Sequence, residues 1–451
     1  MNQLKKLYEL IRSKINPDSV SEMSWVFAGQ VATVVLSFVI VKILSNMGAY
    51  QYGIYTLVVS ITAFFGLLFY GPLQQGFIRF YYHYLDLSLS KIFVRLTYKV
   101  LFASGIILIL FAFVFYFFSP LFSLSQTPLF FLISGIYIVT FKIDEFFNSV
   151  LNIVRKRKQN SIIQGSEKAA IIVYLVLLRY FNLLDVKNVF VVLILNTMLF
   201  AAIKIKFFES FLAIEKPQEK TFVKSSQKEM FSKLFRYVLP FLIWGFSGWL
   251  QLNGEKWIIN GFLSTADVGI YAIMMAIVNG LIIIPNNIIN DFATPIIFKQ
   301  YADLNNIENV KTGFHYIRIN MLVIFTLSVL STIITYFLGR EFILLVSNKY
   351  YTVYWYLLPL LCFGTGMFLT GQAHTVLGMA LNLPNKYLPP KILIGIISVF
   401  LNVYLIKNFG INGVAYTVLI VGIIYLIYVN FINKKIISEI KFSSDRYIII
   451  L

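Results

Sequence analysis

Long apolar runs, each closed by a short basic break, follow one another along nearly the whole chain. A helix that crosses the hydrocarbon core of a bilayer needs about 20 mostly apolar residues. About twelve runs meet that requirement; they fall near 23–45, 52–74, 98–118, 128–153, 164–183, 187–206, 237–262, 268–291, 316–338, 353–378, 389–407 and 411–433. In hydrocarbon every backbone N–H and C=O must be satisfied within the segment, so such runs fold as helices rather than as open strands. The pattern predicts an all-α polytopic membrane protein. The seventh run is the least regular, because Asn253-Gly254-Glu255-Lys256 interrupts it.

Composition excludes the main alternatives. The 451 residues are 59% hydrophobic and 13% charged, with a mean hydropathy of +0.78. A soluble domain is roughly 45–50% apolar and about 25% charged, so a water-soluble enzyme of this size would lack polar surface. Disorder requires the opposite composition. The single cysteine, Cys362, permits no internal disulfide. His83, His315 and His374 lie too far apart to suggest metal-ligand spacing. No Walker A sequence occurs, so neither a metal nor a cofactor is expected. The formal net charge of +18 would point to nucleic acid in a soluble chain. Here Lys and Arg sit mostly between apolar runs, which makes them topology signals rather than a nucleic-acid surface.

Those cations set an orientation. Residues 1–20 are amphipathic and basic, with Lys5, Lys6, Arg12 and Lys14. The apolar run that follows is too long for a signal-peptide core, so this segment reads as a surface helix on the cytoplasmic side. With that end inside, thirty Lys and Arg fall on the inner side and six on the outer. This is a strong positive-inside bias. It predicts a multi-pass protein of the cell membrane with both termini cytoplasmic, the tail being 434–451. Lys42 and Lys142 fall within spans.

The chain also repeats. Tyr52-Gly53-Ile54-Tyr55 opens the second run and Val268-Gly269-Ile270-Tyr271 opens the eighth, Gly269 following Gly53 by 216 residues. The same offset relates Gly29 to Gly245. Residues 207–236 form the longest basic break. We therefore expect a six-helix lobe over 21–206, a cytoplasmic linker over 207–236 and a second six-helix lobe over 237–433. An even number of helices gives both lobes one orientation, a repeat class seen in secondary transporters.

Ionisable residues at membrane depth are expensive and normally face a cavity or a partner. The fourth run carries Lys142, Asp144 and Glu145 near its middle. Lys142 and Glu145 are three apart and share a face, and Asp144 and Asn148 are four apart. Two readings stand: an ion pair that locks the helix to a neighbour, or side chains facing a cavity. The seventh run offers Asn253, Glu255, Lys256 and Asn260, with Lys256 also able to snorkel. The eighth carries Asn279, Asn286, Asn287, Asn290 and Asp291, interrupted by Pro285, which frees backbone carbonyls. Gln30, Thr33 and Ser37, with Lys42 above, look like helix glue. Gln75 and Arg79 end the second run, and His374 shares a face with Gly366 and Thr370, either packed or as a proton switch. The third, sixth and twelfth runs are nearly uniformly apolar. Together these features predict a polar cavity between two lobes. Its cations, Lys142, Lys256, Arg79 and Lys42, suit an anionic, phosphate-bearing substrate, while Asp144, Glu145, Glu255 and Asp291 balance charge or couple to ions.

Several segments resemble bacterial polysaccharide flippases of the multidrug/oligosaccharidyl-lipid/polysaccharide exporter superfamily. Gly48-Ala49-Tyr50-Gln51-Tyr52-Gly53-Ile54-Tyr55 resembles the start of their second helix, and Gly76-Phe77-Ile78-Arg79-Phe80-Tyr81 its end. Tyr237-Val238-Leu239-Pro240 is similar to the opening of their second lobe. Ala266-Asp267-Val268-Gly269-Ile270-Tyr271 matches their second GIY element, and Gly410-Ile411-Asn412-Gly413-Val414-Ala415-Tyr416 resembles the start of their last helix. The resemblance runs from about residue 20 to 433 and rests on order and spacing more than on any one motif. Where many members carry Asp-Arg, this chain has Glu255-Lys256; Lys keeps the charge but lacks arginine's bidentate fork.

The resemblance implies a MATE-like exporter fold and a non-enzymatic flippase. It would carry an undecaprenyl-diphosphate-linked oligosaccharide to the outer leaflet for O-antigen, capsule or exopolysaccharide synthesis. Its implied partners are the lipid-linked oligosaccharide, membrane lipid, a polysaccharide polymerase and a chain-length regulator. A cation-coupled multidrug exporter of the same superfamily is the first rival. A membrane polymerase or ligase is the second, although no outer break is long enough to house its catalytic loop.

Overall fold

Twelve helical passes are present among the described residues of the computed structural model, which are 17–87, 89–118, 128–154, 156–214, 224–301, 306–381, 383–442 and 447–449. Most of the amphipathic segment 1–20 lies outside them. The first pass is α1 (Pro17–Leu44). The second is a helix in two pieces, α2 (Ala49–Phe65) and α3 (Gly71–Asp86), joined by a π-turn over Gly66–Tyr70. Then come α4 (Ser90–Phe118), α5 (Pro128–Ile153), α6 (Arg157–Tyr180), α7 (Val186–Ile214) and α8 (Lys224–Phe262). The eighth pass repeats the design of the second: α9 (Thr265–Val278), a π-turn over Asn279–Ile283, and α10 (Ile284–Gln300). It is followed by α11 (Ile307–Val346), α12 (Leu357–Ala380), α13 (Leu388–Phe409) and α14 (Ile411–Glu439). A small antiparallel pair, β1 (Ile440–Phe442) and β2 (Tyr447–Ile449), closes the chain.

The passes agree closely with the apolar periodicity, and the differences are informative. Eight passes are individually long and apolar enough to cross a membrane. Two of the others, α5 and α8, hold the mid-span charges. The interruption at 253–256 leaves α8 helical throughout, since a helix satisfies its own backbone whatever the side chains. The basic break 207–236 is helical over 207–214 and again from 224, as continuations of α7 and α8. Breaks between passes fall at glycines where the turn demands them. Gly48 (φ 87°) follows a short 3-10 turn, and Gly410 (φ 58°) ends α13. Both backbones are readily adopted only without a Cβ.

The chain divides into two compact units, one of 1–43 with 58–246 and one of 44–57 with 247–451. The boundaries fall at the end of the first pass and inside the second and seventh passes. In the first unit an aromatic core fills the space among α3, α4, α5 and α7. Phe77 stacks on Phe93 at 5.7 Å and meets Phe146 edge-on at 5.5 Å, with Phe147 and Phe208 fully buried. The outer face of α4 shows Phe102, Ile106, Leu110, Phe113 and Phe117 exposed; a stripe this apolar suits lipid.

The second unit is built around α12, whose small residues admit close neighbours. A Cβ at Gly364 would strike the backbone at Val418 and Leu419, and one at Gly366 would strike Ser328. Such small-residue contacts are how helices associate where apolar side chains gain nothing over lipid. The two GIY elements also meet in this unit. A Cβ on Gly53 would collide with the Thr265 carbonyl, and one on Gly269 with the Ala49 carbonyl. Each glycine thus rests on the carbonyl four residues before the other.

Candidate functional site

In the first unit the mid-span charges of α5 sort into two groups. Lys142 and Glu145 form an ion pair of 2.5 Å, one helical turn apart, as their spacing predicts. Lys142 is nearly buried, with 7% of its side chain exposed, whereas Glu145 shows 51%. The ammonium also lies over the Phe141 ring at 5.2 Å. A Cβ on Gly66 would run into the Lys142 side chain, so Lys142 is seated against the π-turn of the second pass. Gly245 of α8 packs on the Leu67 carbonyl of the same turn. π-turns leave backbone groups out of register and concentrate at functional positions. Replacing Gly66 with alanine should push the Lys142 ammonium from its seat; the loss of activity should approach that of Lys142→Ala while the melting temperature stays near wild type.

Asp144 belongs to the second group. Its carboxylate accepts from Lys204 of α7 at 2.5 Å, and Lys204 also reaches Glu167 of α6 at 2.9 Å. Lys204 is completely buried, with 0% of its side chain exposed. This corrects the expectation for the sixth pass, read as nearly uniformly apolar, and for Lys204, which is one of the thirty cations counted on the inner side. The helix runs on to Ile214, which carries Lys204 inside the bundle, and the inner-side excess of charge survives its removal. Asp144 is therefore the residue that locks α5 to its neighbours, and the Asn148 amide reaches it only at 3.5 Å. Lys168, next to Glu167, interacts with it electrostatically. Asn160 of α6 adds further ties to α5, donating to the Asn148 carbonyl at 3.0 Å and to Asn152 at 2.9 Å.

In the second unit Glu255 accepts a 2.7 Å hydrogen bond from the Tyr271 hydroxyl. Tyr271 is the tyrosine of the second GIY element and is 1% exposed. Both line a cavity of about 170 Å³ with Met275, Thr365, Phe368 and Ser398. Lys256 is half-buried and donates to Asn253 at 2.9 Å. The asparagines of the eighth pass work mainly as glue. Asn290 donates to Asn286, and Asn320 of α11 donates to Asn290, each at 3.0 Å. Asn287 and Asp291 are exposed, as are Arg79 and Lys42 in the first unit. The second π-turn and Pro285 stand 213 residues after the first π-turn and Pro72, so the repeat extends beyond the GIY elements. Pro72 is the signal that sequence reading missed.

A model of a family described as "Polysaccharide biosynthesis protein" matches residues 19–301. The chain belongs to that family. Solved transporters of the same architecture stand close to it. The chain superposes on a structure described as the lipid II flippase MurJ in an inward closed conformation, at a TM-score of 0.67 and 14% identity, covering 92% of this chain and 88% of that one. A point mutant of the Vibrio cholerae MATE transporter VcmN gives a TM-score of 0.61 at 15% identity, covering 94% and 99%. A MOP superfamily transporter from Pyrococcus furiosus, described by the reverse polarity of its binding pocket, gives 0.55 at 12%, covering 94% of each. Likeness at these identities establishes the MATE-like and MurJ-like fold. A comparison with curated protein sequences returns no match.

Proposed function

We propose that the chain is a flippase for an undecaprenyl-diphosphate-linked oligosaccharide, carrying single repeat units from the inner to the outer leaflet of the bacterial cytoplasmic membrane by alternating access. The carrying observation is Lys142, a nearly buried ammonium whose partner Glu145 is half exposed. A cation held at membrane depth by an exchangeable carboxylate can pass from that carboxylate to a diphosphate without ever lying uncompensated. Charge-assisted contacts of this kind are roughly twice as strong as neutral ones. The family's description and a fold shared with a lipid II flippase support the lipid-linked substrate. Arg79, Lys42 and Lys256 add positive charge along the route, and Glu255 and Asp291 serve charge balance or ion coupling. Both termini are cytoplasmic on the positive-inside bias. The translocated unit would be consumed by a polysaccharide polymerase with its chain-length regulator. Membrane potential acting on the charged carrier supplies about 2.3 kcal/mol per charge per 100 mV.

Deleting the gene should leave single lipid-linked units on the cytoplasmic face and no surface polymer. Lys142→Ala should reproduce that state at normal protein level, and Lys142→Arg should restore part of the export. Normal surface polymer in Lys142→Ala would remove the headgroup assignment. Single units reaching the outer face of the deletion strain would instead make the chain a polymerase. One observation favours a second reading, a cation-coupled exporter: Glu255 lines a cavity in the second unit with Tyr271 as its hydrogen-bond donor. Raised drug sensitivity in the deletion strain, with surface polymer intact, would select that reading.

A further inference from the structure

A separate cavity of about 370 Å³ opens in the second unit among α11, α12 and α14. Its volume is within the range of small-molecule sites, about 300–1,000 Å³. Its polar lining is Arg318, His374, Asn430, Asn433 and Lys434. The rest of the wall is apolar, with Phe314, Met321 and Ile437 among it. No carboxylate lines it among the described residues, and neither Arg318 nor Lys434 forms an ion pair there. Two cations, two amides and an imidazole therefore line one apolar frame, with no carboxylate among the described residues lining it.

Of the polar groups, Asn433 is buried and fixed by hydrogen bonds, while Arg318 and Lys434 are exposed at the mouth. Asn433 donates to the His374 carbonyl at 2.8 Å and accepts from the Tyr387 hydroxyl. The Nδ1 atom of His374 is buried and has no hydrogen-bond partner. An unpaired nitrogen on a ring that lines the same cavity as two cations suits an acceptor-rich anion, which would give it a partner. The location narrows the choice. Arg318 lies in the first third of α11, His374 in the last third of α12 and Lys434 near the end of α14. By the alternating direction of successive passes these points share one end of the unit, which the positive-inside bias assigns to the inner leaflet. Basic pockets between transmembrane helices at that depth bind anionic lipid headgroups.

We propose that this cavity is a site for an anionic phospholipid, its phosphodiester held by Arg318, Lys434 and His374 and its acyl chains lying along the apolar wall. The site stands apart from the substrate reading, which rests on Lys142 in the other unit. Zwitterionic lipid fits less well, because its own ammonium would meet Arg318 and Lys434 with no carboxylate to receive it.

The test is native mass spectrometry of the full chain, purified from detergent and re-equilibrated with phosphatidylglycerol or phosphatidylcholine at equal concentration. Wild type should retain one phosphatidylglycerol at a level at least tenfold above phosphatidylcholine. Arg318→Gln with Lys434→Gln should lose that preference, whereas Lys311→Gln, a cation of the same end outside the cavity, should keep it. Both targeted side chains are exposed, so the double variant should remain folded, and an unchanged melting temperature without lipid checks this. Equal retention of the two lipids by wild type would overturn the proposal. So would an unchanged preference in the double variant, or displacement of phosphatidylglycerol by equimolar undecaprenyl diphosphate, which would make the cavity a carrier site. Transport by the double variant separates this result from the flippase assignment: lost lipid with preserved export leaves the assignment standing.

Discussion

Lys204→Met should destabilise the protein more than any other single change of charge in the first unit. The ammonium is fully buried and serves two carboxylates, Asp144 at 2.5 Å and Glu167 at 2.9 Å. Removing it leaves Asp144 buried with no ion-pair partner among the described residues and Glu167 with only its electrostatic neighbour Lys168. Breaking a buried pair by deleting one partner costs about 3–5 kcal/mol, because the remaining charge is uncompensated. The expected result is a large fall in melting temperature in detergent and little monodisperse protein. Replacing the whole group by neutral residues of similar size, Lys204→Met with Asp144→Asn and Glu167→Gln, removes the charges together and should recover most of the loss. If Lys204→Met melts like wild type, the triad is not the tie between α5, α6 and α7. Transport by the recovered triple variant carries a second answer. Preserved export means the triad positions α5 so that Lys142 reaches its seat; abolished export at wild-type stability means the triad's charges themselves take part.

How far this was legible in the sequence depends on the range of each interaction. Apolar run length encodes the passes, because the membrane permits only helices there. All twelve were therefore readable, including α8 across its polar interruption. The Lys142–Glu145 pair was readable too, since it closes within one helical turn. The Asp144–Lys204–Glu167 group was not. Its members are separated by 60 and 37 residues, and nothing local marks them as neighbours. Lys204 was further disguised by sitting near the end of its apolar run, where a cation ordinarily signals the membrane surface. The apolar stretch Phe207-Phe208 and Phe211-Leu212-Ala213-Ile214 was the available hint that α7 continues past it. The polar stripe of the eighth pass divides: Asn286 and Asn290 are spent on a ladder to Asn320 of α11, while Asn279, Asn287 and Asp291 are exposed. Sequence shows that a residue is polar at depth but not whether protein or water answers it.

The GIY repeat gained a meaning that its sequence could not carry. Gly53→Leu and Gly269→Leu should each prevent accumulation of folded protein. The obstacle in both cases is backbone: the Thr265 carbonyl faces Gly53 and the Ala49 carbonyl faces Gly269. A flexible side chain could turn aside, but a helix carbonyl can retreat only if the whole helix moves. Overpacking a core typically costs about 1–3 kcal/mol, and forcing two backbones apart falls at the upper end or beyond. Tyr271 adds to the consequence, since any shift of α9 breaks its 2.7 Å bond to Glu255. Gly165 and Gly261 provide the controls, because a Cβ there meets nothing within 4 Å. Alanine at those positions should be neutral or stabilising by about 0.5–1 kcal/mol, the usual gain over glycine inside a helix. The reciprocity of the contact makes a sharper forecast. Once either leucine has separated the helices, the second finds the space already open, so Gly53→Leu with Gly269→Leu should cost clearly less than the sum of the two. Strict additivity of the two melting-temperature losses would mean that the glycines answer to separate neighbours. The shared crossing of α2 and α9 would then lose its support.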